Sequence, residues 1–419
     1  MYIRNFKSIK ELEMKIKDLT ILIGPNNSGK TSFLHALALL KQSVPHLSFS
    51  GPLVNLGNFK DVVYRHDLRR AIQISFLLSL RRTESEILEQ LRESELLSNT
   101  NLNTVDCTVD LGPGPSLKRS LLLDGRRNII FDLSSDRKIR KTIKSLENVQ
   151  FSFESFLAVP SSGPARPIEE FRPLQQLILG EFSSFLHYIS SRRGITDRFE
   201  PVDRRYSHLP DDVGLFGENT IPVLAFIRDD EQYKEVMEKI SLWSEQFGLE
   251  SVIAHIREGP TYSLKVKNKQ THVDCNVLDI GFGVNQLLPV IVQCFYAPKT
   301  SLIMIEQPEA HLHPQYQADV TDLLIDVVKY GNRVIVETHS EHILLRLQRR
   351  IAEGKIKSTQ VNVCYFRQTP EGTDETDMKI DKDGYFVEPI PEGFFEEGFD
   401  EAIAHLRASH PKRDKNERN

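Results

Sequence analysis

An α/β fold is predicted by three stretches of the chain. Residues 24–31 read Gly24-Pro25-Asn26-Asn27-Ser28-Gly29-Lys30-Thr31, a complete G-x-x-x-x-G-K-T loop. The apolar, β-branched run Leu19–Ile23 before it has the character of a buried strand, and Thr31–Leu40 after it that of a helix. Two further apolar runs, Ser301–Ile305 and Arg333–Glu337, read as buried strands of the same sheet. Strand, glycine-rich turn and helix in this order form an anion nest. The backbone N–H groups of Asn26, Asn27, Ser28, Gly29 and Ser32 cradle phosphates, Lys30 reaches the β- and γ-oxygens, and the Thr31 hydroxyl ligates Mg²⁺. A glycine-rich turn matching by chance would lack the flanking strand and helix. The expectation is a P-loop NTPase that takes ATP and Mg²⁺.

Composition sets wide bounds. A chain of 419 residues supports two or three cored domains, and 40% hydrophobic with 26% charged content is ordinary for a soluble protein. No apolar run approaches the ~20 residues of a membrane span, and the first residues carry no signal-peptide core, so a cytoplasmic, non-membrane protein is expected. The four cysteines, Cys107, Cys275, Cys294 and Cys364, are scattered, and buried reduced thiols fit them better than disulfides or metal ligands. A net charge of −5 decides nothing about nucleic acid, because a local basic patch can sit on an acidic whole.

The region from 278 to 342 narrows the nucleotide chemistry. The run ending in Glu306-Gln307-Pro308-Glu309 has the form of a Walker B strand, whose terminal carboxylate, Glu306, holds the Mg²⁺ hydration shell. The strand at 333–337 leads into Thr338-His339-Ser340, and a histidine there can place a hydrogen bond on the γ-phosphate. Upstream, Gly281-Phe282-Gly283-Val284-Asn285-Gln286 opens an apolar helix and offers a second anion-binding N-terminus.

Loop, long insertion, glycine-rich helix start, Walker B and histidine-ended strand follow the order of ABC-class ATPase heads. Ile305–Pro314 resembles the Walker B and D-loop of bacterial ABC-class AAA family ATPases related to the overcoming-lysogenisation-defect (OLD) and RecF/SMC-type heads. Glu337–His342 resembles their switch-histidine motif and Gly281–Gln286 their signature motif. The likeness extends to Asn5-Phe6-Lys7-Ser8-Ile9, Val213–Asn219 and Pro391–Glu397, and is weakest over 80–180. It implies a homodimer, or an assembly of dimers, in which Gly281, Gly283 and Asn285 of one subunit cap the nucleotide of the other while His339 contacts the phosphate in cis. It also implies kinship with the ATPase components of anti-phage systems such as Septu and PARIS, which work with a separate effector, commonly a nuclease; here a nuclease or a toxin is expected. In this frame His311-x-His313 is a dimer-contacting D-loop rather than a metal pair.

One departure bears on mechanism. ABC heads usually end Walker B with Asp-Glu, the Glu activating water; here the pair is Glu306-Gln307, and an amide cannot take a proton. Glu309 is the nearest replacement base, so slow hydrolysis is expected. Two alternatives compete with an effector-controlling ATPase: a largely non-hydrolysing nucleotide-bound scaffold, and an OLD-type nuclease or DNA-repair ATPase. The second needs clustered acids on separate strands, whereas Asp374, Glu375, Asp377, Asp381 and Asp383 read as one loop-like stretch.

The expected organisation is an ATPase head split by a mixed α/β insertion: 1–64 and 270–390 form the head, 65–269 the insertion and 391–419 a tail. Within the insertion, Ala71–Leu80, Val105–Leu111, Lys118–Leu123, Asn128–Leu133 and Val149–Leu157 read as strands, Glu84–Leu97 as a charged helix and 170–193 as a helix; Pro160–Pro164 reads as a linker. After Walker B, helices at 315–329 and 341–353 cover the sheet and Val361–Phe366 is a last core strand. Two basic clusters remain, Arg126, Arg127, Arg137, Lys138, Arg140, Lys141 and Lys144, then Arg192, Arg193, Arg198, Arg204 and Arg205. As a nucleic-acid contact they compete with solvated surface charge, the commoner explanation.

Overall fold

The computed structural model describes residues 1–44, 46–79, 104–113, 116–124, 126–134, 139–142, 150–152, 159–161, 178–180, 183–201, 209–256 and 261–389. The expected helix at 84–97, most of the strand at 149–157, most of the 160–164 linker and the tail from 391 lie outside them.

The phosphate-loop strand is β3 (Leu19–Ile23), after a hairpin of β1 (Tyr2–Phe6) and β2 (Ile9–Glu13), and it runs into α1 (Lys30–Gln42) and the short α2 (Phe59–Val62). Strands β4 (Ile72–Ser79), β5 (Thr104–Gly112), β6 (Ser116–Leu123), β7 (Ile129–Ser134) and β8 (Ile139–Thr142) follow. They join the first hairpin in an antiparallel sheet of order β2-β1-β4-β5-β6-β7-β8. The segment expected as an insertion is thus continuous, through β4, with the sheet that β1 and β2 begin. A separate pair, β9 (Gln150–Ser152) and β10 (Val159–Ser161), precedes β11 (Leu186–Ile189) and β12 (Glu200–Pro201).

Helices α3 (Thr220–Ile227) and α4 (Lys234–Gln246) lead into β13 (Leu249–Ile256), β14 (Thr261–Asn268) and β15 (Asp274–Asn276), which with β12 form a small third sheet. The C-terminal part comprises α5 (Phe282–Tyr296), β16 (Leu302–Glu306), α6 (Pro314–Tyr330), β17 (Arg333–Glu337), α7 (Glu341–Ala352), β18 (Val361–Thr369) and β19 (Gly372–Asp377).

The central sheet has the order β11-β16-β17-β3-β18-β19, parallel except for β19. Strand β17 lies between the phosphate-loop strand and the strand ending in Glu306, so three loops that carry the motifs leave the same edge of the sheet. Ligands in such sheets bind outside the carboxyl ends of the strands. Successive strand residues point to opposite faces, and both faces are covered. Leu22, Met304, Ile335 and Cys364 pack with α1 and the antiparallel sheet, whereas Ile21, Ile23, Ile305 and Val336 pack under α5, α6 and α7.

Two expectations change here. The helical spacing of 170–193 fails at its end, because Leu186–Ile189, all buried, pair in parallel with Leu302–Ile305 as an edge strand of the central sheet. Tertiary pairing overrides a local period over so short a run. The acidic stretch at 374–377 is also no loop: it forms β19, a hairpin partner of β18.

The turn after β3 is held by backbone geometry. Gly24 has φ +134°, and a Cβ there would meet the Phe366 carbonyl at 2.1 Å. The Phe366 ring is fully buried, edge-on to Phe33 of α1 at 6.4 Å between centroids. Removing the ring opens a cavity under the phosphate loop and takes away the surface on which α1 rests. Phe366→Ala is therefore expected to lower stability by about 3–5 kcal/mol, read by chemical denaturation; a loss below ~1 kcal/mol would show that this junction is not closely packed.

Candidate nucleotide site

The loop leaves β3 through Gly24 and enters α1 at Gly29, whose φ of +105° only a glycine adopts without strain. Helix α1 has no side-chain cap and no acid in its first turn, so its free N–H groups face a cavity of about 710 Å³. That cavity is lined by Asn26 to Ser32, and by Gln307, Glu337 and His339 from the ends of β16 and β17. Lys7, Arg65 and His66 close its other side. Lys30 Nζ donates to the carbonyls of Gly24 at 2.9 Å and Pro25 at 2.8 Å, curling back over the loop. An uncapped helix start with a buried lysine fits a polyanion such as a nucleotide's phosphates.

The metal side of the cavity differs from expectation. Thr31 Oγ1 donates to the carboxylate of Glu337, at 2.8 and 3.0 Å from its two oxygens. Glu337 is buried, and burial pushes its carboxyl up to about 7, opposed by Thr31 and Lys30. Glu306 instead faces the edge strand: it accepts from the Tyr188 hydroxyl, from Ser191 N at 2.9 Å and from Ser191 Oγ at 3.0 Å. It does not line the cavity. A hydroxyl beside carboxylates is a hard oxygen donor set of the kind Mg²⁺ takes together with phosphate oxygens.

Gln307 sits at φ +43° and lines the cavity; its N–H donates to the Glu337 carbonyl at 2.7 Å. Glu309 does not. It is buried, Oε1 accepts from His339 N at 2.8 Å, and burial raises its carboxyl above the ordinary range. In this arrangement Glu309 ties the D-loop turn to the histidine-bearing segment instead of lining the phosphate cavity. His339 is exposed toward the cavity, with its pKa lowered by burial and by Lys30, so it is neutral at physiological pH.

The glycine-rich helix start lies elsewhere. Neither Gly281, Gly283 nor Asn285 lines the phosphate cavity. Gly281 is open, whereas Gly283 is pressed onto the D-loop, where a Cβ would meet the His311 carbonyl at 2.4 Å. Asn285 is buried and bonds the backbone of Ile195 through both amide atoms. His311 packs edge-on against the exposed Phe282 ring, and His313 accepts from Gln315 N as the cap of α6. Among the described residues no group of three or more His, Cys, Asp or Glu is placed to hold a metal.

The second basic cluster does not form one surface. Arg193 is fully buried, and Arg198 makes a bidentate pair with Asp279. Arg204 and Arg205 lie outside the described residues. In the first cluster Arg127 pairs with Asp106 at 3.6 Å.

Several contributors had no clear sequence signal. Tyr188, Ser190 and Ser191 reach Glu306 only because β11 joins the sheet. Arg193 donates to the carbonyls of Ser190, Gln286, Glu306 and Gln307, joining edge strand, α5 and Walker B turn. Glu337 did carry a signal, an acid at the end of a buried strand, the same argument that selects Glu306.

Fold and loop geometry define the class: a P-loop NTPase with an ABC-type head. The model of the AAA ATPase domain matches residues 1–99 and 216–344, more than half of the chain, and the chain belongs to that family. The OLD nuclease of Thermus scotoductus is 24% identical over 359 residues, covering 81% of this chain and 58% of that protein. The chain thus spans less than two thirds of that relative. Solved structures that resemble it include an Smc head bound to the C-terminal winged-helix domain of ScpA (TM-score 0.49, 13% identity, 91% of this chain and 97% of that one). The SMC head of Thermotoga maritima gives 0.40 at 11% identity, covering 90% and 98%. A Pyrococcus furiosus Smc head with an extended coiled coil gives 0.45 at 10%, covering 98% of each. Among the described residues no helix is long and apolar enough to cross a membrane.

The Arg193 contacts give a test of the site's scaffold. Arg193→Ala leaves four carbonyls without their donor, all of them wholly or partly buried with it, and is expected to cost about 3 kcal/mol or more in denaturant unfolding. A variant as stable as wild type would mean that water replaces the guanidinium at no cost.

Proposed function

We propose that this AAA-class ATPase is a slow molecular switch: it binds Mg·ATP, pairs with a second copy, and controls a separate effector, a nuclease or toxin, in bacterial anti-phage defence. The observation that carries slow turnover is Gln307, an amide lining the phosphate cavity where ABC heads present a carboxylate. An amide orients water without accepting its proton, and a missing general base costs ~10²–10⁴-fold in rate. Lys30 and the N–H groups from Asn26 to Ser32 hold the phosphates, Thr31 and an adjacent carboxylate hold Mg²⁺, and His339 meets the γ-phosphate. Mg²⁺, when bound, neutralises charge between the phosphates. Pairing through Gly281 and its neighbours is supported by the exposed Phe282 ring, on a helix start that does not line its own phosphate cavity. The division into a head at 1–64 and 270–390 with an intervening lobe belongs to the same proposal, with β11 lent to the head. A cytoplasmic setting also belongs to it.

An OLD-type nuclease is the second reading, favoured by the 24% identity to the Thermus scotoductus protein. Incubation of the purified chain with plasmid and with RNA separates the two, since cleavage without an added partner supports the nuclease.

Lys30→Ala is expected to abolish ATP binding in calorimetry while circular dichroism stays unchanged; equal affinity in both proteins would remove the nucleotide site. Gln307→Glu is expected to speed phosphate release by at least about tenfold, within the range a general base supplies. A fast wild-type rate left unchanged by that substitution would refute the slow-switch proposal.

A further inference from the structure

Two acids end adjacent parallel strands in register: Glu306 of β16 pairs with Glu337 of β17. Residues so paired send their side chains to the same face of a sheet, so both carboxylates leave the strands side by side at the ligand-binding edge. They then part. Glu306 turns to the edge strand, where Tyr188, Ser190 and Ser191 give it four donors, and it stays out of the phosphate cavity. Glu337 turns to the phosphate loop, lines the cavity, and takes the Thr31 hydroxyl on both of its oxygens. A carboxylate satisfied by four donors gains little from a metal. One that is buried, with a single hydroxyl and the cavity before it, gains a great deal.

We propose that Glu337 is the carboxylate that holds the nucleotide's Mg²⁺ together with Thr31, and that Glu306 is its positioning neighbour, held by the edge strand. The proposal rests on the nucleotide-site reading above and departs from the Walker B assignment of the metal to Glu306. It needs no metal cage: Mg²⁺ commonly uses one or two carboxylates, the substrate's phosphate oxygens and water. It also accounts for an acid at the tip of a strand that otherwise needs only an apolar run and a histidine after it.

The experiment measures metal and nucleotide separately, with no turnover. Mn²⁺ affinity is read by electron paramagnetic resonance in the presence of ATPγS, and ATPγS affinity by calorimetry in EDTA. Glu337→Gln is expected to weaken Mn²⁺ binding at least about tenfold while ATPγS binding in EDTA stays within about threefold of wild type. Glu306→Gln is expected to keep Mn²⁺ affinity within about threefold. Loss confined to Glu306→Gln, or equal loss in both variants, overturns the proposal. Should Glu337→Gln melt early, Glu337→Asp retains the charge with a shorter reach. It is expected to fall between wild type and Glu337→Gln, and wild-type Mn²⁺ affinity in it would count against direct coordination. Wild-type protein that binds no ATPγS in EDTA or with metal would remove the nucleotide site itself, an outcome distinct from a normal nucleotide affinity with an unaltered metal response.

Discussion

Glu306, Glu309 and Glu337 lie buried at one end of the central sheet, and keeping three carboxylates out of water constrains everything around them. Each is answered separately. The edge strand meets Glu306 with two hydroxyl-bearing residues and a tyrosine, the His339 N–H meets Glu309, and Thr31 and Lys30 meet Glu337. Arg193 is, with Lys30, a buried cation of this end: burial lowers its pKa to about 10, with Glu309 and Glu306 opposing, so it stays charged at neutral pH. Its four hydrogen bonds go to backbone carbonyls, so it fixes the chain that carries the acids rather than pairing with one of them. A buried charge spent on carbonyls is costly unless acceptors surround it, and here the edge strand, α5 and the Walker B turn supply them.

The same end of the sheet is tied to the outer surface by a short sequence of contacts. Gln307 N–H holds the Glu337 carbonyl, Glu309 holds His339, and the following turn places the His311 carbonyl against Gly283 and its ring against Phe282. Every step is a direct contact. On the proposed function this joins the phosphate cavity, through one tight turn, to the face offered to a second copy. A side chain at Gly283 would separate α5 from the D-loop inside one subunit, so the glycine serves packing within the chain before it serves any partner.

What the sequence made legible was local. The phosphate loop is read from strand, glycines and helix, and the three buried parallel strands from apolar runs of five residues, because a strand covered on both faces has little choice of residue. The strands β4 to β7 were legible by alternation, since one face of an antiparallel sheet sees water. The edge strand was not. Leu186–Ile189 is only four residues, its neighbours carry a helical spacing, and its partner β16 is more than a hundred positions away. With that strand hidden, Tyr188, Ser190, Ser191 and Arg193 had no visible reason to belong to the site. The departure of Glu306 toward them was hidden for the same cause.

Gln307 and Glu337 belong in one electrostatic account. An ordinary ABC head carries two acids at the Walker B tip; here one of them is an amide, and a third strand tip, next to the phosphate loop, carries an acid instead. A carboxylate at 307 would face the same phosphate cavity as Glu337. Even at an effective dielectric of 20, like charges ~5 Å apart repel by about 3 kcal/mol. An amide at 307 keeps a hydrogen-bonding group facing the cavity without adding to that repulsion, and it leaves the carboxylate charge concentrated at Glu337, against Thr31. Under the proposal the chain keeps its cavity-facing acid where a hydroxyl and a lysine meet it. On the proposed Mg²⁺ site the amide and Glu337 form a paired arrangement: a neutral group at 307 spares Glu337 a second like charge in the same cavity.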